Sequence, residues 1–175
     1  MEAAGNSCEV DTRAAPFAAD APEGVAWQQM GWPAVAPDLS RVPTERLEAE
    51  ICELAAHVDA AVCRWLMLVA EFDRREGWWP WQCASCAMWL SWKCGITLTT
   101  AHEHVRVARA LAQLPTLREA FGRGEISYSK VRAATRVATP AIEAELVAIA
   151  RSETGAGMER VCRAYRRYGR LDARK

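Results

Sequence analysis

No apolar stretch of this 175-residue chain is long enough to cross a bilayer. The longest strongly apolar run, Trp65 to Ala70, falls far short of the roughly 20 residues a spanning helix needs. The acidic opening, Met-Glu-Ala-Ala-Gly-Asn, does not resemble a secretory leader. A cytoplasmic protein with no membrane association is therefore expected. The seven cysteines are odd in number and scattered over helical positions, unlike the paired framework of a small secreted domain. Strand-type alternation is missing, and with it the sheet-based folds. A glycine-rich phosphate loop is missing too, as is a serine or cysteine nucleophile with a recognisable base. No cofactor is implied and no catalytic residue stands out.

Net charge is also lacking, because 22 basic and 22 acidic residues cancel. The balance hides a division. Residues 1–43 hold Glu2, Glu9, Asp11, Asp20, Glu23 and Asp38 against Arg13 and Arg41, a net charge of −4, so the remainder carries +4. A domain with that charge can approach a phosphate backbone, although its field is mild. The same first 43 residues are rich in Ala, Pro and Gly, with prolines at 16, 22, 33, 37 and 43 and no sustained period. They read as a disordered tail. Trp27, Met30 and Trp32 within it are either a short docking motif or stray aromatics.

What the chain does have is apolar mass. With 51% hydrophobic residues and eight tryptophans it can bury one core of ordinary size without disulfides or metal, which places a single helical domain over residues 44–175. From Thr44 the apolar positions Leu47, Ile51, Leu54, Val58, Ala61, Trp65, Leu68 and Phe72 recur at alternating steps of four and three. This spacing predicts one long amphipathic helix, capped by Thr44 and stopped at Gly77. Its stripe serves either as the core face of a bundle or as the seam of a coiled-coil dimer.

A second helix is expected through Cys83, Cys86, Leu90 and Cys94 to Gly95. A third starts at Thr97, runs to about Gln113 and buries Ala101, Val105, Ala108 and Ala112. Thr116-Leu-Arg-Glu119 has the form of a capping box for a short helix to Phe121, which breaks at Gly122-Arg-Gly124. Ser127 caps the next helix, and Thr139-Pro140 starts another. A last helix follows Gly155 and Gly157 and carries Val161, Cys162, Tyr165 and Tyr168. The expectation is an all-α multi-helix bundle with one long N-terminal amphipathic helix.

Two candidate metal sites fail on geometry. Cys83, Cys86, Cys94 and His102 nominally supply four zinc ligands, but on one helix Cys83 and Cys94 would lie roughly 16 Å apart. Buried, weakly polar packing is the expected role of these thiols. His102-Glu103-His104 invites comparison with a His-Asn-His nuclease triplet. Residues two apart on a helix point about 200° apart, however, and the nuclease motif needs a β-hairpin that this chain lacks. Surface or capping histidines are expected instead.

Basic residues remain. The frame Ile96-Thr97, then Arg106-Val107-Ala108, returns thirty positions later as Ile126-Ser127, then Arg136-Val137-Ala138. Two copies are too few for a solenoid and mark two helix starts in one bundle. His102, Arg106, Arg109 and Gln113 share one helix face, and Tyr128, Arg132 and Arg136 share another. Arg160, Arg163, Arg166, Arg167 and Arg170 add a third. Arg106, Arg109, Arg132, Arg136, Arg163 and Arg167 are thus the candidate nucleic-acid contacts, set against solvated faces as the plainer account. The helix, glycine turn, helix order across Cys86 to Ala112 is compatible with a helix-turn-helix, a pattern that many helical hairpins share.

At these same residues the chain resembles a known family. Cys86-Ala-Met-Trp-Leu-Ser-Trp-Lys-Cys-Gly-Ile, Val-Arg-Val-Ala-Arg-Ala-Leu from 105, and Leu-Pro at 114 are similar to the domain of unknown function 222. So are Gly-Glu-Ile-Ser-Tyr-Ser-Lys-Val-Arg from 124 and Thr-Arg-Val-Ala-Thr-Pro from 135. The resemblance covers about Arg46 to Arg167. It implies a bacterial helical domain of the kind found N-terminal to a metal-dependent module in His-Asn-His endonuclease-family proteins, including the 13E12 repeat family. No nuclease motif of those relatives matches any position here, so no catalytic or metal-binding residue carries over, and a truncated or split member is expected.

Three roles follow as expectations. The first is a non-catalytic, DNA-associated domain. The second is a protein-interaction or homo-oligomeric module acting through the long helix. The third is nuclease activity only in company with a separate nuclease module.

Overall fold

The computed structural model describes residues 38–172, with side chains as far as Tyr168. Residues 1–37, including Trp27, Met30 and Trp32, lie outside that span, as does the side chain of Arg170. Among the described residues there are seven α-helices and no strand. A short 3₁₀ turn, Leu39–Arg41, comes first, with Asp38 accepting from the Ser40 amide. Helix α1, Thr44–Arg74, then runs for 31 residues.

The end signals of α1 differ from expectation. Pro43 occupies the cap position and no side chain caps the helix, so Thr44 is its first residue. At the far end the left-handed residue is Glu76, with φ of 53°, and the Gly77 amide donates to the Phe72 carbonyl at 3.0 Å. The larger correction concerns the faces. The core takes Cys63, Leu66 and Val69, with Val62, Trp65, Met67, Ala70 and Phe72 packed beside them. Trp65 and Phe72 of the heptad stripe thus pack on the core, whereas Ile51, Leu54, Val58 and Leu68 are 65%, 50%, 60% and 63% exposed. Ile51 points the same way as buried Val69, five turns later, and is exposed because residues 44–55 precede the point where α1 meets the bundle.

A 3₁₀ turn, Trp79–Trp81, leads to α2, Cys86–Cys94. This helix begins three residues later than its apolar spacing predicts, because the Ser85 hydroxyl accepts from the Met88 amide at 3.2 Å and fixes the start there. Cys83 is left outside the helix. Helix α3, Leu98–Leu111, starts as predicted: Thr97 caps it by accepting from the Thr100 amide at 3.2 Å. It buries Ala101, Val105, Val107, Ala108 and Leu111, while Ala112 stays exposed.

Helices α4, Pro115–Gly122, and α5, Tyr128–Ala134, follow. The predicted capping box at Thr116 and Glu119 does not form. Leu114 holds the cap position of α4, and a carboxylate from far along the chain does the capping: Glu143 accepts from the amides of Thr116 and Leu117 at 3.0 and 3.1 Å. Helix α5 is treated in the same way. Ser127 holds its cap position without bonding a helix amide, and Asp59 of α1 accepts from Tyr128 N–H at 2.8 Å. Helix α6, Glu143–Ser152, begins three residues after Pro140, since residues 140–142 form a separate turn. Helix α7, Gly155–Asp172, buries Met158 and Cys162 but leaves Tyr168 70% exposed.

Helix α1 packs on α3 and α4, α2 on α3, α4 on α6, and α5 on α7. The core runs through all seven, with Phe121, Leu66, Leu90, Leu111, Leu117 and Ile126 among its largest fully buried side chains. Gly124 shows how tightly the pieces meet. Its φ is 70°, and an added Cβ would lie 2.5 Å from the Ala56 carbonyl oxygen of α1. Only glycine fits that approach without displacing backbone.

Candidate nucleic-acid interface

The six candidate arginines fall on α3, on α5 and the turn after it, and on α7. Arg106 on α3 reaches across to α5. Its guanidinium donates to Glu103 at 2.9 and 3.0 Å, to the Arg132 carbonyl at 3.1 Å and to the Thr135 hydroxyl at 3.3 Å. Arg136 donates to the same Glu103 at 2.8 Å. The two echoed arginines therefore meet on one carboxylate. Hydrogen bonds from Arg106, then from Arg136, hold the Glu103 carboxyl down to about 2. Arg109 lies on another side of α3 and makes a two-point contact with Asp73 of α1, at 2.7 and 3.1 Å. These three side chains join helices.

Arg136 also borders a cleft between α5 and α7, where further arginines gather. Arg132, Arg136, Arg163 and Arg166 line a cavity of about 130 Å³ together with Ala133, Cys162 and Glu159. Glu159 accepts from Arg132 at 2.8 Å. Arg163 and Arg166 make no ion pair among the described residues, so the cleft keeps positive charge after its internal pairs are counted. Arg167 is exposed on α7 and does not line it. Arg166, which does, is a contact that the six candidates omit. Its spacing three residues after Arg163 was visible, but its burial toward α5 was not.

A wider, open cleft adjoins the first across Arg132 and Arg136, bounded by Thr99, Thr100, His102, Glu103, His104, Arg106 and Tyr128. His104 is neither a surface nor a capping residue. Its ring lies between Trp65, edge to face at a centroid distance of 5.0 Å, and Tyr128, tilted against it at 5.1 Å, and burial lowers its pKa from 6.5. His102 is exposed. Among the described residues no group of three or more His, Cys, Asp or Glu side chains is placed to hold a metal ion. Burial also pushes the Cys86 thiol up to about 11 and raises Cys63 and Cys162, which keeps these thiols in their unreactive form.

The model of one protein family, described as Domain of unknown function (DUF222), matches residues 44–168. The chain belongs to this family. The match spans α1 to α7 up to the last described side chain, so the arginine cleft and the exposed stripe of α1 are both features of its DUF222 domain. No curated protein and no solved structure matches the chain. Among the described residues no helix is long and apolar enough to cross a membrane.

Proposed function

We propose that this DUF222 domain is a non-catalytic module that associates with nucleic acid through the cleft between α5 and α7. One observation carries the reading: four arginines, from α5, the turn after it and α7, line a phosphate-sized cavity in which the one carboxylate among the described residues is already paired with Arg132. Guanidinium groups in that setting offer several N–H donors to a phosphodiester oxygen, and contacts of this kind position a backbone without reading sequence. The companion nuclease module of the relatives that the sequence resembles supports the same reading. Under it, any cleavage requires a separate module in the manner of those His-Asn-His proteins, and this domain supplies placement.

Titration with duplex DNA over a series of salt concentrations tests this. With Arg163 and Arg166 each neutralising a phosphate, the logarithm of affinity should fall against the logarithm of salt with a slope of about −2. No binding even at low salt overturns the reading.

A second reading is favoured by a different feature. Ile51, Leu54, Val58 and Leu68 form an exposed apolar line on α1, which supports a protein-interaction or self-association module.

A further inference from the structure

We propose that the stripe on α1 is covered by a second copy of this chain, with the two α1 helices antiparallel and Glu50 of each opposite Arg64 of the other. The proposal rests on the self-association reading and is independent of the arginine cleft. It starts from how α1 leaves the bundle. Helix α1 meets the bundle at Ala56, which closes on Gly124, and at Asp59, which caps α5. Before that point residues 44–55 are exposed, with Leu47 alone half-buried. A helical segment of that length without a tertiary partner is marginal in water.

The stripe has the period of a two-helix seam. Leu47, Leu54, Ala61 and Leu68 fall at one heptad position, and Ile51, Val58, Trp65 and Phe72 at the other. An antiparallel alignment that sets Leu54 against Val58 also sets Ile51 against Ala61, and Leu47 against the part of Trp65 left open by its packing on His104, each pairing repeated by the twofold axis. The overlap from Leu47 to Trp65 is roughly 27 Å long. Charge selects this alignment over the parallel one. On the flanks of the seam it brings Glu50 to Arg64 twice, both exposed, whereas a parallel pair would bring Glu50 to Ala55 and Arg64 to the buried Val69. Glu50 also accepts from Arg46 of its own helix at 3.0 Å, through Oε1, and a carboxylate with two oxygens can take both arginines. Arg64 has no ion pair among the described residues.

Sedimentation velocity on the full chain, over a wide concentration range, gives the test. The expected result is a reversible dimer. Ile51→Asp with Val58→Asp, both at exposed positions, should yield a monomer whose circular dichroism matches the parent and whose DNA binding is unchanged. Glu50→Arg alone and Arg64→Glu alone should each weaken the dimer by about tenfold, and the two together should restore it. A monomer at every concentration overturns the proposal, whether another segment or a different protein covers the stripe. A dimer indifferent to the aspartates overturns it as well, and a dimer that the paired charge exchange fails to restore overturns the antiparallel register.

Discussion

Glu103 accepts from both Arg106 and Arg136, and His104 beside it sits between two aromatic rings, so these neighbours on α3 both disfavour a proton, one through its ion pairs and the other through burial. The Glu103 carboxyl is held at about 2 against an ordinary 4.5, which means its contribution to stability is complete above 4.5 and is lost as pH falls toward 2. His104 is held below its ordinary 6.5 by burial, so the folded state prefers it neutral. Its contribution is complete above 6.5 and declines as pH falls below that value. Acid should therefore weaken the fold in two stages. Urea midpoints measured above 6.5, between 6.5 and 4.5, and below 4.5 should fall stepwise, with His104→Phe flattening the upper step and Glu103→Gln the lower. Glu71 and Glu125 shift in the same direction, but they are exposed and solvent screens their contribution. A midpoint that stays level down to 4.5 in the parent protein would remove the role assigned to His104.

Helices α4 and α5 both begin on carboxylates borrowed from distant helices. Glu143 serves α4 from 26 residues away and Asp59 serves α5 from 69 residues away. Glu143 is 5% exposed, so removing it strands the buried Leu117 amide and frees that of Thr116 nearer the surface. Glu143→Ala should cost about 2–4 kcal/mol, and Glu143→Gln, which keeps one acceptor, noticeably less. Chemical denaturation checks the order of the three proteins. The same helices show what the chain discloses in one dimension. Thr97 and Gly95 were legible because cap and turn act within a few residues, and the existence, order and approximate limits of the helices follow from such local signals. The cap of α4 was not legible, because Thr116 and Glu119 satisfy a local pattern that a remote carboxylate displaces. Helix α1 fails in a third way. Its period was plain, but Ile51 and Leu54 stand ahead of the bundle and Cys63, Leu66 and Val69 within it, and a periodic stripe does not mark where along the helix its partners begin. Burial is decided by α3 and α4, not by α1.

At the scale of the whole molecule the arginines divide by what they face. Arg106, Arg109 and Arg136 are committed to Glu103 and Asp73 and hold α1, α3 and α5 in place. The basic faces were legible from helical spacing, whereas the acids opposite them lie on other helices and could not be read from it. Arg163 and Arg166, free of carboxylates among the described residues, leave one charged cleft on a chain whose formal charge is zero. Those two separate a structural account of the basic faces from a binding one. The most direct measurement is the affinity of the Arg163→Glu, Arg166→Glu double variant for duplex DNA at low salt, taken beside its thermal midpoint. DNA docking in the α5–α7 cleft predicts that binding and its salt dependence disappear while the midpoint holds. Binding equal to that of the parent protein would contradict it.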